Sequence, residues 1–143
     1  MITNIEKIKT INLFCDLKKE DMEQIVSLME TNKVYEGEVF MQRGEPASTF
    51  YVVLSGNYMI HFKEGQSFTL HEYGNIIGWS SVITPFLNTA TGTALTDGEL
   101  LCIPGKKLHD LLEKNQDMHY IFMKKINKII AEKMVYARDN EKI

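Results

Sequence analysis

Cysteine, proline and tryptophan are scarce in this chain, with two, three and one copies among 143 residues. Each scarcity excludes something. Cys15 and Cys102 are far apart and lack CxxC spacing. They are expected to be buried thiols, neither a disulfide nor a metal site. No window approaches the roughly 18 apolar residues of a membrane span. Met1–Ile11 mixes Asn4, Glu6, Lys7 and Lys9 with isoleucines, unlike a signal peptide. The expected location is cytoplasmic, with no membrane partner. Excess positive charge is also missing: the net charge is −3 and the pI is near 5.8. That argues against a nucleic-acid partner and makes the lysines of the C-terminal helix a solvated face. His61, His71, His109 and His119 contain no His-x-His pair, so a metal-holding barrel enzyme is not expected. His71 facing the barrel interior as a haem or metal ligand is the minority reading. No nucleophile-elbow pattern occurs, and the chain is expected to be neither an enzyme nor the carrier of a cofactor.

What is present suffices for one domain spanning 1–143, since 44% of the residues are hydrophobic. Three regions separate by periodicity. Residues 1–32 read as a helical lead-in, with Leu17, Met22, Ile25, Val26, Leu28 and Met29 at helical spacing. Residues 33–104 read as a β-barrel. Gly37, Gly44, Gly56, Gly65, Gly74, Gly78, Gly92 and Gly98 separate short runs: Phe50–Leu54, Tyr58–Phe62, Ser67–Tyr73, Thr89–Leu95 and Leu100–Ile103. Residues 105–143 return to helix. A short amphipathic segment carries Leu108, Leu111 and Leu112. A longer helix, Gln116 to Ala137, shows Met118, Phe122, Ile126, Ile129 and Ile130 on one face. That face packs on its own barrel or pairs with a second copy; a homodimer through this helix is expected. The fold class is mainly β with flanking helices: a double-stranded β-helix (jelly-roll) barrel with N-terminal helices and a long C-terminal helix.

The ordered motifs resemble the cyclic-nucleotide-binding domain family. Gly37-Glu38-Val39-Phe40, followed by Gly44-Glu45, is similar to the family's early hairpin. Phe50-Tyr51-Val52-Val53-Leu54-Ser55-Gly56 is similar to its next strand, and Leu13-Phe14 with Leu17 to its opening segment. The resemblance runs from about Leu13 to Met134. The related transcription factors carry a helix-turn-helix after the long helix; this chain stops at Ile143, so no DNA-binding role by that route is expected.

In the family the ligand lies in a cassette, here residues 74–90. A Phe-Gly-Glu-like turn starts a short helix, and an Arg-Ser/Thr-Ala segment follows. Backbone N–H groups and the arginine hold the phosphate, and the glutamate accepts from the ribose. The resemblance places Ile77, Gly78, Trp79, Ser80, Ser81, Asn88, Thr89 and Ala90 at the ligand site. Trp79 stands where the glutamate would be, and Asn88 where the arginine would be. Thr89 matches the family's Ser/Thr. No lysine or arginine occurs between Lys63 and Lys106, and Arg43 would have to approach from elsewhere in the fold. Trp79 is read equally as a core residue, and Ser80, Ser81 and Asn88 as turn and capping residues. Ile129, Ile130, Lys133 and Met134 occupy the region that caps the base in the family. The expectation is a regulatory module sensing a small molecule, not ordinary cyclic AMP. Its alternatives are a ligand-free domain for protein interaction or dimerisation, and a true cyclic-nucleotide binder through backbone amides and Thr89.

Overall fold

The run Phe50–Leu54 has no polar residue to turn toward water, so its strand must be covered on both faces. In the computed structural model, which describes residues 5–83 and 86–141 with side chains to Lys133, it is. Strand β3 (Thr49–Ser55) lies in a four-stranded antiparallel sheet of order β1-β8-β3-β6. Its neighbours are β1 (Glu30–Val34), β8 (Gly98–Pro104) and the short β6 (Ile76–Ile77). Phe50 and Val52 face a layer of helices, whereas Tyr51 and Val53 face the barrel interior. On β8, Leu101 and Ile103 point to the helices, and Leu100 and Cys102 to the interior.

The second sheet has the order β2-β7-β4-β5, built from Val39–Met41, Ala90–Ala94, Tyr58–Phe62 and Ser67–Leu70. Here alternation shows directly: Tyr58, Ile60 and Phe62 are buried while His61 is exposed. Tyr58 donates its hydroxyl to the Ser55 carbonyl at 2.6 Å. Burial pushes its phenol up to about 12.

The helical layer comes from both ends of the chain. Helices α1 (Ile5–Ile8) and α2 (Lys19–Val26) supply Ile8, Met22 and Ile25 to the core. Helices α3 (Gly105–Lys114) and α4 (Gln116–Glu141) supply Leu108, Leu112, Met118, Phe122 and Ile126. The Phe50 and Phe122 rings meet at 5.8 Å. Polar ties fix α4 to the N-terminal segment. Asn115 caps α4 by accepting from the Met118 N–H at 3.1 Å, and its amide donates to the buried Asp21 at 3.0 Å. Lys125 pairs with Asp16 at 2.9 Å, and its ammonium also donates to the Asn12 carbonyl. The Lys125 side chain holds the Asp16 carboxyl below its ordinary value, by a hydrogen bond and by its charge.

Several expectations change. The lead-in is not helical to residue 32, because Glu30 already pairs with Cys102 in the β1–β8 ladder. Glu30 to Lys33 are all exposed, so no alternation betrays this edge strand. Cys15 is exposed and stands 3.2 Å from the Lys125 ammonium. Cys102 is half-buried, and burial raises its thiol. Both are free thiols. His71 follows the end of β5 and is exposed, so it does not face the barrel interior. Met118, Phe122 and Ile126 are buried in the chain's own core, and Ile129 and Ile130 pack against it. The apolar face of α4 is thereby used within the chain, the first of its two readings. No described helix is long and apolar enough to cross a membrane.

Candidate functional site

Strand β6 sets the cassette by pairing Ile76 with Val52 and Ile77 with Tyr51. The pleat sends Ile76 toward the helices and Ile77, 1% exposed, into the barrel. The chain must then reverse at Gly78, which has φ of 80°. A Cβ there would lie 2.6 Å from the Thr49 carbonyl oxygen, so both conformation and space demand glycine. A single 3-10 turn, Trp79–Ser81, follows.

Ile77, Gly78, Trp79, Ser80, Asn88, Thr89 and Ala90 come together on one pocket. Ser81 does not join them. Its hydroxyl donates to the Gly78 carbonyl at 2.8 Å and is 3% exposed. Gly105 of α3 approaches so closely that a Cβ there would lie 2.5 Å from the Ser81 Cβ. Ser81 is the rivet between cassette and α3.

Trp79 combines its two readings, packing partly buried against the helical core while lining the pocket. Asn88 is occupied by turn chemistry: its side-chain amide donates to the Gln42 carbonyl at 3.0 Å and its N–H to the Glu45 carbonyl at 2.9 Å. Thr89 is exposed at the lip. Arg43 does not line the pocket, although its backbone N–H reaches Thr91 Oγ1 at 3.2 Å.

The rest of the wall is Met41, Ile60, Phe62, Phe68, Leu70 and Ile76. These residues were not singled out in the sequence, although alternation along Tyr58–Phe62 marks Ile60 and Phe62 as inward. None of the described lining residues is ionisable. The free volume left among them is about 20 Å³, room for one water molecule. Of the four residues expected over the pocket, Ile129 and Ile130 turn to the helical core. Lys133 reaches the wall, its ammonium 5.7 Å from the centre of the Phe68 ring. The Met134 side chain lies outside the described residues.

The family model "Cyclic nucleotide-binding domain" matches residues 31–115. By sequence the chain is 28% identical over 111 residues to the cAMP-dependent protein kinase type II regulatory subunit of Drosophila melanogaster. That match covers 78% of this chain and 29% of the subunit. The chain spans less than a third of the length of the curated relatives it matches. By structure it is similar to a candidate cyclic nucleotide-binding protein of Geobacter metallireducens GS-15, with a TM-score of 0.85 at 20% identity, over 93% of this chain and 99% of that one. It is also similar to the sensor domain of the transcriptional regulator DNR from Pseudomonas aeruginosa, with a TM-score of 0.72 at 18% identity, over 87% and 91% of the two chains.

Proposed function

The chain belongs to the cyclic nucleotide-binding domain family, and from that premise we propose a regulatory sensing domain whose cassette recognises a small ligand without charged anchors. The observation that carries this reading is the uncharged lining of the cassette pocket. A charge-assisted hydrogen bond contributes roughly 1.5–3 kcal/mol, and a family arginine makes two such bonds to a phosphate. With Asn88 in that place and tied to Gln42, an anionic ligand loses several powers of ten in affinity. What remains is an apolar wall of aromatic and aliphatic side chains with neutral groups from Ser80, Asn88 and Thr89 at the lip, a combination suited to an uncharged heteroaromatic molecule.

Ligand entry would displace Phe68 and with it Lys133 of α4, shifting the population of helix positions. Helix α4 is then the output element. A homodimer would use the face bearing the exposed Tyr120 and the half-buried Met123, because Met118, Phe122 and Ile126 are taken.

A second reading, a ligand-free interaction domain, is favoured by the 20 Å³ of free volume. Calorimetric titration with cyclic AMP, cyclic GMP and adenosine, with Trp79 fluorescence as the structural readout, separates the readings. The proposal expects no saturable cyclic-nucleotide binding at low micromolar concentration, and an adenosine response within about tenfold of that of cyclic AMP, since no phosphate anchor distinguishes them. Tight cyclic AMP binding that Thr89→Val abolishes would instead assign the site to backbone amides and Thr89. Silence toward all three at millimolar concentration would favour the ligand-free domain.

A further inference from the structure

One cluster of reactive side chains outside the cassette joins the two ends of the chain. Cys15 is exposed in the turn before α2, and Lys125 stands 110 positions later, on α4. The Lys125 nitrogen lies 3.2 Å from the Cys15 sulfur. We propose that this pair is a redox latch: peroxide oxidation of Cys15 leads to a covalent sulfur–nitrogen bond with Lys125, which ties α4 to the N-terminal segment.

Both partners are held in place. The Cys15 N–H donates to the Ile11 carbonyl at 3.0 Å, and its thiol donates to the Asn12 carbonyl at 3.3 Å. Phe14 and Leu17, on either side, are buried and anchor the turn. Lys125 lies between the buried Phe122 and Ile126 along α4, and its side chain is only 16% exposed. The Asp16 carboxylate at 2.9 Å and the Asn12 carbonyl keep this long side chain beside the sulfur. Cys102 differs: its sulfur meets the Asn32 amide nitrogen at 3.4 Å, and an amide nitrogen is a poor nucleophile.

The oxidant is hydrogen peroxide. The sulfur attacks one peroxide oxygen, so an S–O bond forms and the O–O bond breaks. Cys15 becomes a sulfenic acid, and the departing hydroxide leaves as water with the thiol proton. The sulfenic sulfur is electrophilic, and the lysine nitrogen already stands within the roughly 3–3.5 Å of a near-attack pair. That nitrogen gives one proton to solvent and attacks. The S–N bond forms, the S–O bond breaks, and the hydroxyl leaves as water with a second lysine proton. A dithiol reverses the link, restoring thiol and amine as it is itself oxidised to a disulfide. The latch does not depend on any ligand in the cassette pocket.

The test treats the full chain with hydrogen peroxide and maps its peptides by mass spectrometry. A peptide joining Cys15 to Lys125, lighter than its two parts by two hydrogen atoms, is expected, and dithiothreitol should remove it. The linked protein should melt about 5 °C or more above the reduced one, because the tie constrains a long loop of the unfolded chain. Lys125→Arg keeps the charge beside Asp16 but offers no amine. It should give no link and leave a sulfenic acid that dimedone traps. Cys102→Ser should still form the link. The proposal is overturned if Cys15 is oxidised in the wild type without a link to Lys125, if Cys15 joins a different lysine or a second Cys15, or if Lys125→Arg loses the same two hydrogens.

Discussion

The two sheets of the barrel are built to different rules. The sheet containing β3 and β8 is buried on both faces, with Phe50, Val52, Leu101 and Ile103 under the helices and Val53 and Leu100 in the barrel. The sheet containing β4 and β7 is covered on one face only, so His61 meets solvent while Tyr58 and Phe62 do not. The first sheet carries the helices and so determines where α4 lies. The second forms most of the pocket wall through Met41, Ile60, Phe62, Phe68, Leu70 and Ala90. The cassette joins them: Ile77 pairs with Tyr51 of one sheet and lines the pocket beside residues of the other. The pocket wall and the helical layer are therefore carried mainly by different sheets, joined through one short strand and one turn.

Substitutions can test that division. Phe50→Ala should have the largest effect, about 3–5 kcal/mol in urea denaturation, because Phe50 is fully buried and packs on Phe122. A loss under about 1 kcal/mol would mean that the helical layer does not depend on this face. Gly78→Ala comes next, at about 1–3 kcal/mol, since the Cβ would strike the Thr49 carbonyl; it should also change Trp79 fluorescence, and an unaltered spectrum would detach Trp79 from the turn.

Tyr58→Phe should cost about 1 kcal/mol at neutral pH and alter the alkaline limb of stability. The folded phenol lies near 12 against 10 in the unfolded chain. The stability it contributes is therefore complete below pH 10 and lost as pH rises from there toward 12. The wild type should lose stability over that window more steeply than the variant, and parallel profiles would count against a desolvated phenol. His61→Thr, on the solvent face of β4, should stay within about 0.5 kcal/mol. A larger loss would show that something covers the outer face of this sheet.

The same contrast explains what could be read from residue order. Runs such as Phe50–Leu54 and Tyr58–Phe62 announce strands, because continuous burial and one-sided burial each leave a periodic record. The observed β4, Tyr58–Phe62, has the expected bounds. Strand β1 was hidden, since Glu30, Thr31, Asn32 and Lys33 are all exposed and only pairing with β8 makes them a strand. For the cassette, the motif order placed seven of the eight expected residues around one pocket, all but Ser81. Ser81 went elsewhere because Gly105, 24 positions away in the chain by residue number, leaves room for α3 to close on it.

Local sequence thus determined the barrel, its glycine turns and the lack of lysine and arginine between Lys63 and Lys106, because burial and backbone conformation act on neighbouring residues. Tertiary structure alone decided which face of each apolar residue meets which layer. It closed the cassette pocket to about 20 Å³ and left a separate opening of about 450 Å³ lined by Ala47, Ser81, Phe86 and His109. Those volumes are set by side chains from strands and helices distant in the chain, whose mutual approach no local pattern encodes.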